Sequence, residues 1–272
     1  MSEYFFIDKK RRFFFLYYVL RNLFHGSFGV EENRPVIKLN DISFKHSGGS
    51  LILNRLNFQF NQGQKIGLVG PNGGGKTTFF HIIMGLLKPS SGTIEIFGNQ
   101  LKNETDFLIV RQKIGLLFQN SDDQLFSPTV LEDVAFGPLN LGKTKEEAIK
   151  TAMETLEYLG LSGFENRITH KLSGGEKRLV SLATVLAMKP EILLLDEPAT
   201  GLDDPTKTNI IRLLSQLHLS YILISHELDF LEEITDTIYI MENGKLYSGE
   251  GAHLHKHLHA HPHGAHPHRH KT

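Results

Sequence analysis

The chain has 272 residues, 40% of them hydrophobic and 22% charged, the size and balance of one large soluble domain or one domain with a lobe. A formal net charge of -1 offers no bulk attraction to nucleic acid, and the lack of cysteine excludes disulfides and thiolate metal sites. No segment reaches the roughly 20 apolar residues that a helix needs to cross a bilayer.

Residues 1–34 are basic and aromatic. Phe13 to Leu20, behind Lys9-Lys10-Arg11-Arg12, has the order of a signal peptide, but no small-residue cleavage site closely follows, so secretion is not expected. Three readings stay open for this stretch: a membrane-surface segment with arginines at lipid phosphates, an unstructured extension, or translated sequence upstream of the true start. Residues 35–250 read as α/β. Ile37 to Phe60 alternates and carries Gly48-Gly49, which predicts an antiparallel hairpin, joined later by Thr93-Ile94-Glu95-Ile96. Lys65 to Val69 is a short apolar strand, followed by a glycine loop and a helix over about Lys76 to Leu87. Asp122 to His170 is mostly helical, for example Lys145 to Leu159, and reads as an inserted helical lobe ending near residue 180 with the next helix, Glu176 to Met188. Glu191 to Leu195 and Tyr221 to Ile224 are further apolar strands. Runs that do not alternate suit parallel strands buried on both faces, and their alternation with helices predicts a doubly wound sheet. Ligands then sit at the carboxyl ends of the strands, where the glycine loop and the polar strand ends fall.

Gly70-Pro71-Asn72-Gly73-Gly74-Gly75-Lys76-Thr77 matches G-x-x-x-x-G-K-[ST], with Thr78 beside it. The glycines let backbone N–H groups wrap an anion, and the helix that follows adds its positive end. Lys76 would reach the β- and γ-phosphates and Thr77 would hold Mg²⁺. Ile192 to Leu195 delivers Asp196 and Glu197, the first suited to Mg²⁺ and the second to polarising a water as general base. The fold expected is therefore a P-loop NTPase core of RecA-like α/β type, with an antiparallel β-subdomain and a helical lobe.

Leu172-Ser173-Gly174-Gly175-Glu176 is a second glycine turn opening a helix, and Ser173 with the N–H groups of Gly174 and Gly175 makes a second anion site; as an alternative, Ser173 is a plain N-cap. This segment resembles the signature motif of ATP-binding cassette proteins, and the resemblance covers residues 36 to about 250. It implies two cassettes, self or paralogue, packed head-to-tail with ATP and Mg²⁺ between the phosphate loop of one and the signature of the other. It also implies that Gln119 senses Mg²⁺ and faces a membrane subunit, that Thr200-Gly201-Leu202-Asp203 contacts the partner cassette, and that His226 is the switch that touches the γ-phosphate. Many relatives stack an aromatic on adenine, where this chain offers His46, with Phe44 read as core. Leu179 stands where many relatives have arginine.

Phe118 to Val130 with Glu132 to Pro138 resembles the ATPases of energy-coupling factor importers, especially the cobalt and nickel type. That implies integral membrane subunits on other chains, no nucleic-acid partner, and a peripheral place on the cytoplasmic face of the cell membrane. Chromosome-maintenance cassettes would show long heptads between Thr78 and Lys171, translation-factor cassettes a second phosphate loop, and fused exporters spanning helices. The chain ends in a histidine tract, where His253, His255, His257, His259, His261, His263, His266, His268 and His270 fall mostly as His-x-His. Neutral imidazoles suit Ni²⁺, Co²⁺ and Zn²⁺, and residues i and i+2 of an extended chain project to one side. A purification tag and a metal-buffering tail unrelated to cargo are the alternatives.

Overall fold

The computed structural model describes residues 35–248; the basic aromatic start and the histidine tract lie outside the described residues. The hairpin expected from alternation is β1 (Pro35–Lys45) and β2 (Leu51–Asn61), antiparallel with Ile37 opposite Phe60. Two of the ladder's irregularities fall where Asp41 and Arg55 take φ of 52° and 48°. The strand after the glycine-loop helix, β4 (Ser91–Ile96), adds to the free edge of β1, and a three-residue strand β5 (Asn99–Leu101) closes the sheet. β5 leaves no pattern in the sequence because so short an edge strand buries almost nothing.

The second sheet has the order β10-β9-β3-β8-β7-β6, from β3 (Lys65–Val69), β6 (Ile114–Leu117), β7 (Ile192–Asp196), β8 (Ser220–Ile224), β9 (Thr237–Glu242) and β10 (Lys245–Ser248). All pairs are parallel except β9 with β10. Every residue of β7 and β8 is buried, which is why Ile192–Leu195 and Tyr221–Ile224 are continuous apolar runs.

Helix α1 (Lys76–Ile83) lies between the two sheets. Phe79, Phe80, Ile82 and Ile83 are fully buried in a core shared by both, on one face of the helix, with Thr77, Thr78 and His81 half-buried on the other. It stops short of Leu87. Gly85 takes φ of 65°, a Cβ there would lie 2.3 Å from the Phe107 ring, and the N–H groups of Leu86 and Leu87 both turn back to the His81 carbonyl. Helix α2 (Glu104–Lys113) buries only Val110, so it carries almost no apolar stripe for sequence analysis to find.

The lobe is α3 (Val130–Asn140), α4 (Lys145–Tyr158) and α5 (Gly174–Ala187). All three start with a capping box: Thr129 with Glu132, Thr144 with Glu147, Ser173 with Glu176. The last box starts α5 at Gly174, two residues before the expected Glu176. Val134, Ala152, Leu156 and Val180 form one core with Leu193 and Leu223 of the large sheet. Leu179, the departure from arginine, packs against that core. Helices α6 (Asp204–Gln216) and α7 (Leu228–Ile234) complete the layer. Among the described residues, no helix is long and apolar enough to cross a membrane.

Candidate nucleotide site

The phosphate loop leaves β3 at Gly70, whose φ is 154°. A Cβ there would lie 2.3 Å from the Met241 carbonyl oxygen of β9. Only glycine lets the loop leave its strand so close to a neighbour. Gly75, at φ 101°, is the N-cap of α1 and would drive a Cβ to 2.9 Å from Leu53. Gly73, at φ 74°, faces open space, with no atom within 4 Å of where a Cβ would stand. The start of α1 has no side-chain cap and no acid in its first turn, so its N–H groups fit an anion. The buried Lys76 lays its ammonium on the loop, donating to the carbonyls of Gly70 (2.8 Å) and Pro71 (3.0 Å). Burial lowers its pKa, while Glu197 and Asp196 pull the other way. Gly70→Ala is expected to cost about 1–3 kcal/mol by overpacking and to weaken binding of a fluorescent nucleotide. Unchanged affinity and an unchanged unfolding midpoint would contradict this account of the turn.

Asp196 ends β7, buried, and accepts a hydrogen bond from Thr77 Oγ1 at 2.7 Å. Burial raises its carboxyl pKa. Two hard oxygen donors side by side, one of them a carboxylate, fit Mg²⁺. The ion bound there would offset the negative charge of the phosphates. The chain then turns sharply: Glu197 has φ of 52°, and its N–H donates to the Ile224 carbonyl at 3.0 Å. The residue is 2% exposed. Thr200 Oγ1 donates to Glu197 Oε2 at 2.5 Å. Oε1 has no aligned hydrogen-bond partner among the described residues, and His226 Nε2 stands 3.1 Å away. His226 comes this close because β7 and β8 are neighbours, with Asp196 paired to Ile224. A buried carboxylate oxygen that lacks a donor, facing an exposed imidazole, can take the proton of a water.

Arg178 belongs to none of the predicted motifs. It is buried on α5, and its guanidinium donates to the carbonyls of Pro198 (3.1 Å), Asp196 (2.8 Å), Glu197 and Phe118 (2.6 Å). Burial brings its pKa down to about 10, so it stays charged at neutral pH. Gln124 holds the other side of the Phe118 peptide: Oε1 accepts from Phe118 N–H at 3.1 Å while Nε2 donates to the Ser181 carbonyl and to Thr184. One helix thus grips both the end of β7 and the residue before Gln119. The available signal was a cation three residues before Ser181 on a helix face that is otherwise apolar.

Asn72 and Thr78 belong to the loop and its helix, and the other predicted residues make none of the hydrogen bonds described above. Ser173 is exposed and caps α5, its Oγ accepting from Glu176 N–H at 3.3 Å, as the plain N-cap reading requires. Gly174 faces open space, whereas a Cβ on Gly175 would meet Thr206 at 3.4 Å. Gln119 is exposed and lines a cleft of about 230 Å³ with Leu172, Gly174 and Lys177; none of its described contacts is with Thr77 or Asp196. Asn72 is exposed and Thr78 half-buried. Asp203 caps α6 through the Thr206 N–H. His46 is exposed, edge-on to the buried Phe44 with ring centroids 5.1 Å apart, which leaves an imidazole face open.

A buried lysine over a glycine loop, a Thr–Asp pair and a carboxylate facing a histidine all lie on the carboxyl edge of one parallel sheet. Residues 53–200 match the model of the ABC transporter family. The chain belongs to that family. It is an ATP-hydrolysing ABC cassette. Over 211 residues it is 48% identical to a putative ABC transporter ATP-binding protein of Nitratidesulfovibrio vulgaris, covering 77% of each chain. Over 223 residues it is 44% identical to the energy-coupling factor transporter ATP-binding protein EcfA of Methanothermobacter thermautotrophicus, covering 80% of the cassette and 71% of that relative. The structure of cbiO1 from Clostridium perfringens, described as part of the ABC transporter complex cbiONQ, superposes with a TM-score of 0.71 at 32% identity, over 80% of the cassette and 88% of that chain. The dimeric cassette MJ0796 in a post-hydrolysis state with ADP and phosphate gives a TM-score of 0.71 at 27% identity, over 79% of the cassette and all of that chain.

Proposed function

We propose that this cassette is the ATP-hydrolysing subunit of an energy-coupling factor importer at the cytoplasmic face of the cell membrane, with nickel or cobalt ions as cargo. The observation that carries the reading is the 44% identity to EcfA across 80% of the chain. Two cassettes, self or paralogue, pack head-to-tail. Each ATP lies between Lys76 of one and Ser173 of the other. Glu197 takes the proton of the water that attacks the γ-phosphorus, His226 orders that water, and ADP leaves.

The membrane subunit docks on the lobe near Gln119. Phe126 and Phe136 support this placement: they are 67% and 45% exposed, with ring centroids 4.8 Å apart in an edge-to-face pair. Phe126 lines a cavity of about 530 Å³ with Leu125, Pro128, Ile168 and His170. Paired exposed aromatics beside a groove mark an interaction surface. Phe126→Glu is expected to release most of the cassette from the membrane fraction of cells that express the membrane subunits. Wild-type recovery in that fraction would place docking elsewhere.

The histidine tract supports a metal cargo, because imidazole favours Ni²⁺, Co²⁺ and Zn²⁺. The deciding experiment is uptake of labelled Ni²⁺, Co²⁺ and Zn²⁺ by cells carrying the wild-type chain, the Glu197→Gln chain or neither. Uptake of nickel or cobalt that needs Glu197 is expected. Zinc uptake would reassign the cargo. No difference for any metal would make the tract a buffer and turn the search to vitamin-type cargos.

A further inference from the structure

We propose that Arg167 is a positioning residue for the signature: it neutralises Glu176 and holds that carboxylate back against Ser173, so that the start of α5 can accept the triphosphate held by a second cassette. The inference rests on the head-to-tail reading above.

Glu176 is the third residue of α5, beside N–H groups that must face an anion. Its carboxylate accepts from Ser173 N–H at 2.8 Å and its own N–H donates to Ser173 Oγ at 3.3 Å. The carboxylate therefore stabilises the helix start. The same position puts a fixed negative charge at the edge of a site meant for phosphate, and like charges across an interface repel. Arg167 answers both demands. Nη1 and Nη2 meet Glu176 Oε1 and Oε2 at 2.7 and 3.1 Å, a bidentate fork. This fork, with the Ser173 N–H, brings the Glu176 pKa down to about 2, so the carboxylate is charged at any working pH.

Arg167 is held ready for this. Its guanidinium carbon lies 4.1 Å from the centroid of the Phe164 ring. Its N–H donates to the Phe164 carbonyl at 2.9 Å, and its carbonyl accepts from Val130 N–H at 3.1 Å. The arm that carries it is thus tied to the start of α3. The next cation along α5, Lys177, is committed elsewhere, 2.5 Å from Asp122 Oδ1. No other ion pair to Glu176 occurs among the described residues.

The test uses the full chain in a Glu197→Gln background, where ATP is retained, and reads ATP-dependent dimerisation by light scattering. Steady-state ATPase is read in the otherwise wild-type chain. Arg167→Gln is expected to raise the ATP concentration for half-maximal dimerisation and the KM by about tenfold, since it leaves a bare carboxylate facing phosphate. Binding of a fluorescent nucleotide to the single cassette should not change. Arg167→Gln combined with Glu176→Gln should return both values to within about threefold of wild type, because the charge has gone with its counter-ion. A purely structural staple would predict the opposite, since the double variant also lacks the fork. Arg167→Lys keeps the charge without the fork and serves if the glutamine variant folds poorly; it should fall between the two. Dimerisation of Arg167→Gln at wild-type ATP concentrations, or a double variant as impaired as the single, would overturn the proposal alone. No ATP-dependent dimer from the Glu197→Gln chain itself would overturn the head-to-tail reading and the proposal with it.

Discussion

Glu197→Gln is expected to bind ATP as tightly as the wild type and to lose about 10²–10⁴-fold in turnover, the contribution typical of a positioned general base. The substitution keeps size and planarity. The amide oxygen can still accept from Thr200 in the place of Oε2, so the loop geometry should hold. What it removes is the basic oxygen that faces His226 at 3.1 Å without an aligned hydrogen bond. It also removes one of two neighbouring buried carboxylates, which should favour rather than oppose a triphosphate. Phosphate release from single-turnover and steady-state mixtures measures the effect. Release at the wild-type rate would remove Glu197 from the proton transfer and leave Asp196 as the nearest buried carboxylate.

Arg178→Met is expected to cost stability and turnover together. The side chain is similar in length but has no donor. The carbonyls of Asp196 and Pro198 would lose their guanidinium partner in the interior, and each buried acceptor left without a donor costs about 1–3 kcal/mol. The turn at Glu197, already at φ 52°, would be freed, and so would the carbonyl of Phe118 before Gln119. Chemical unfolding should show a loss of at least about 2 kcal/mol. At a temperature where the variant is still folded, kcat should fall more than KM rises, because Arg178 holds the turn at Glu197 and not the phosphate loop. Arg178→Lys should recover part of the stability but not the geometry, since one ammonium cannot span carbonyls on two separate loops. An unchanged kcat in a folded variant would show that the turn keeps its shape without the clamp.

The phosphate loop, the acidic strand end and the signature are contiguous segments whose chemistry depends on local backbone freedom and strand direction, so they were legible in order. The buried runs Ile192–Leu195 and Tyr221–Ile224 were legible because burial on both faces leaves no polar position. Helix α2 was not, since only Val110 of its ten residues is buried and its register leaves no apolar stripe. The end of α1 was missed because Leu86 and Leu87 continue the apolar run; what stops the helix is a ring from another element, Phe107, over Gly85.

The family, the ATP chemistry and the residue types at the strand ends are legible in the chain, because each motif is a short run whose chemistry is set by its neighbours in sequence. Which of those groups meet is a matter of packing. His226 reaches Glu197 because β8 lies beside β7, and no spacing along the chain states that strand order. Arg178 and Arg167 become clamps only when α5 packs against the ends of β6 and β7 and against the arm before it. Their partners are backbone carbonyls and one carboxylate, which any arginine in any sequence could satisfy, so the choice is made by packing alone.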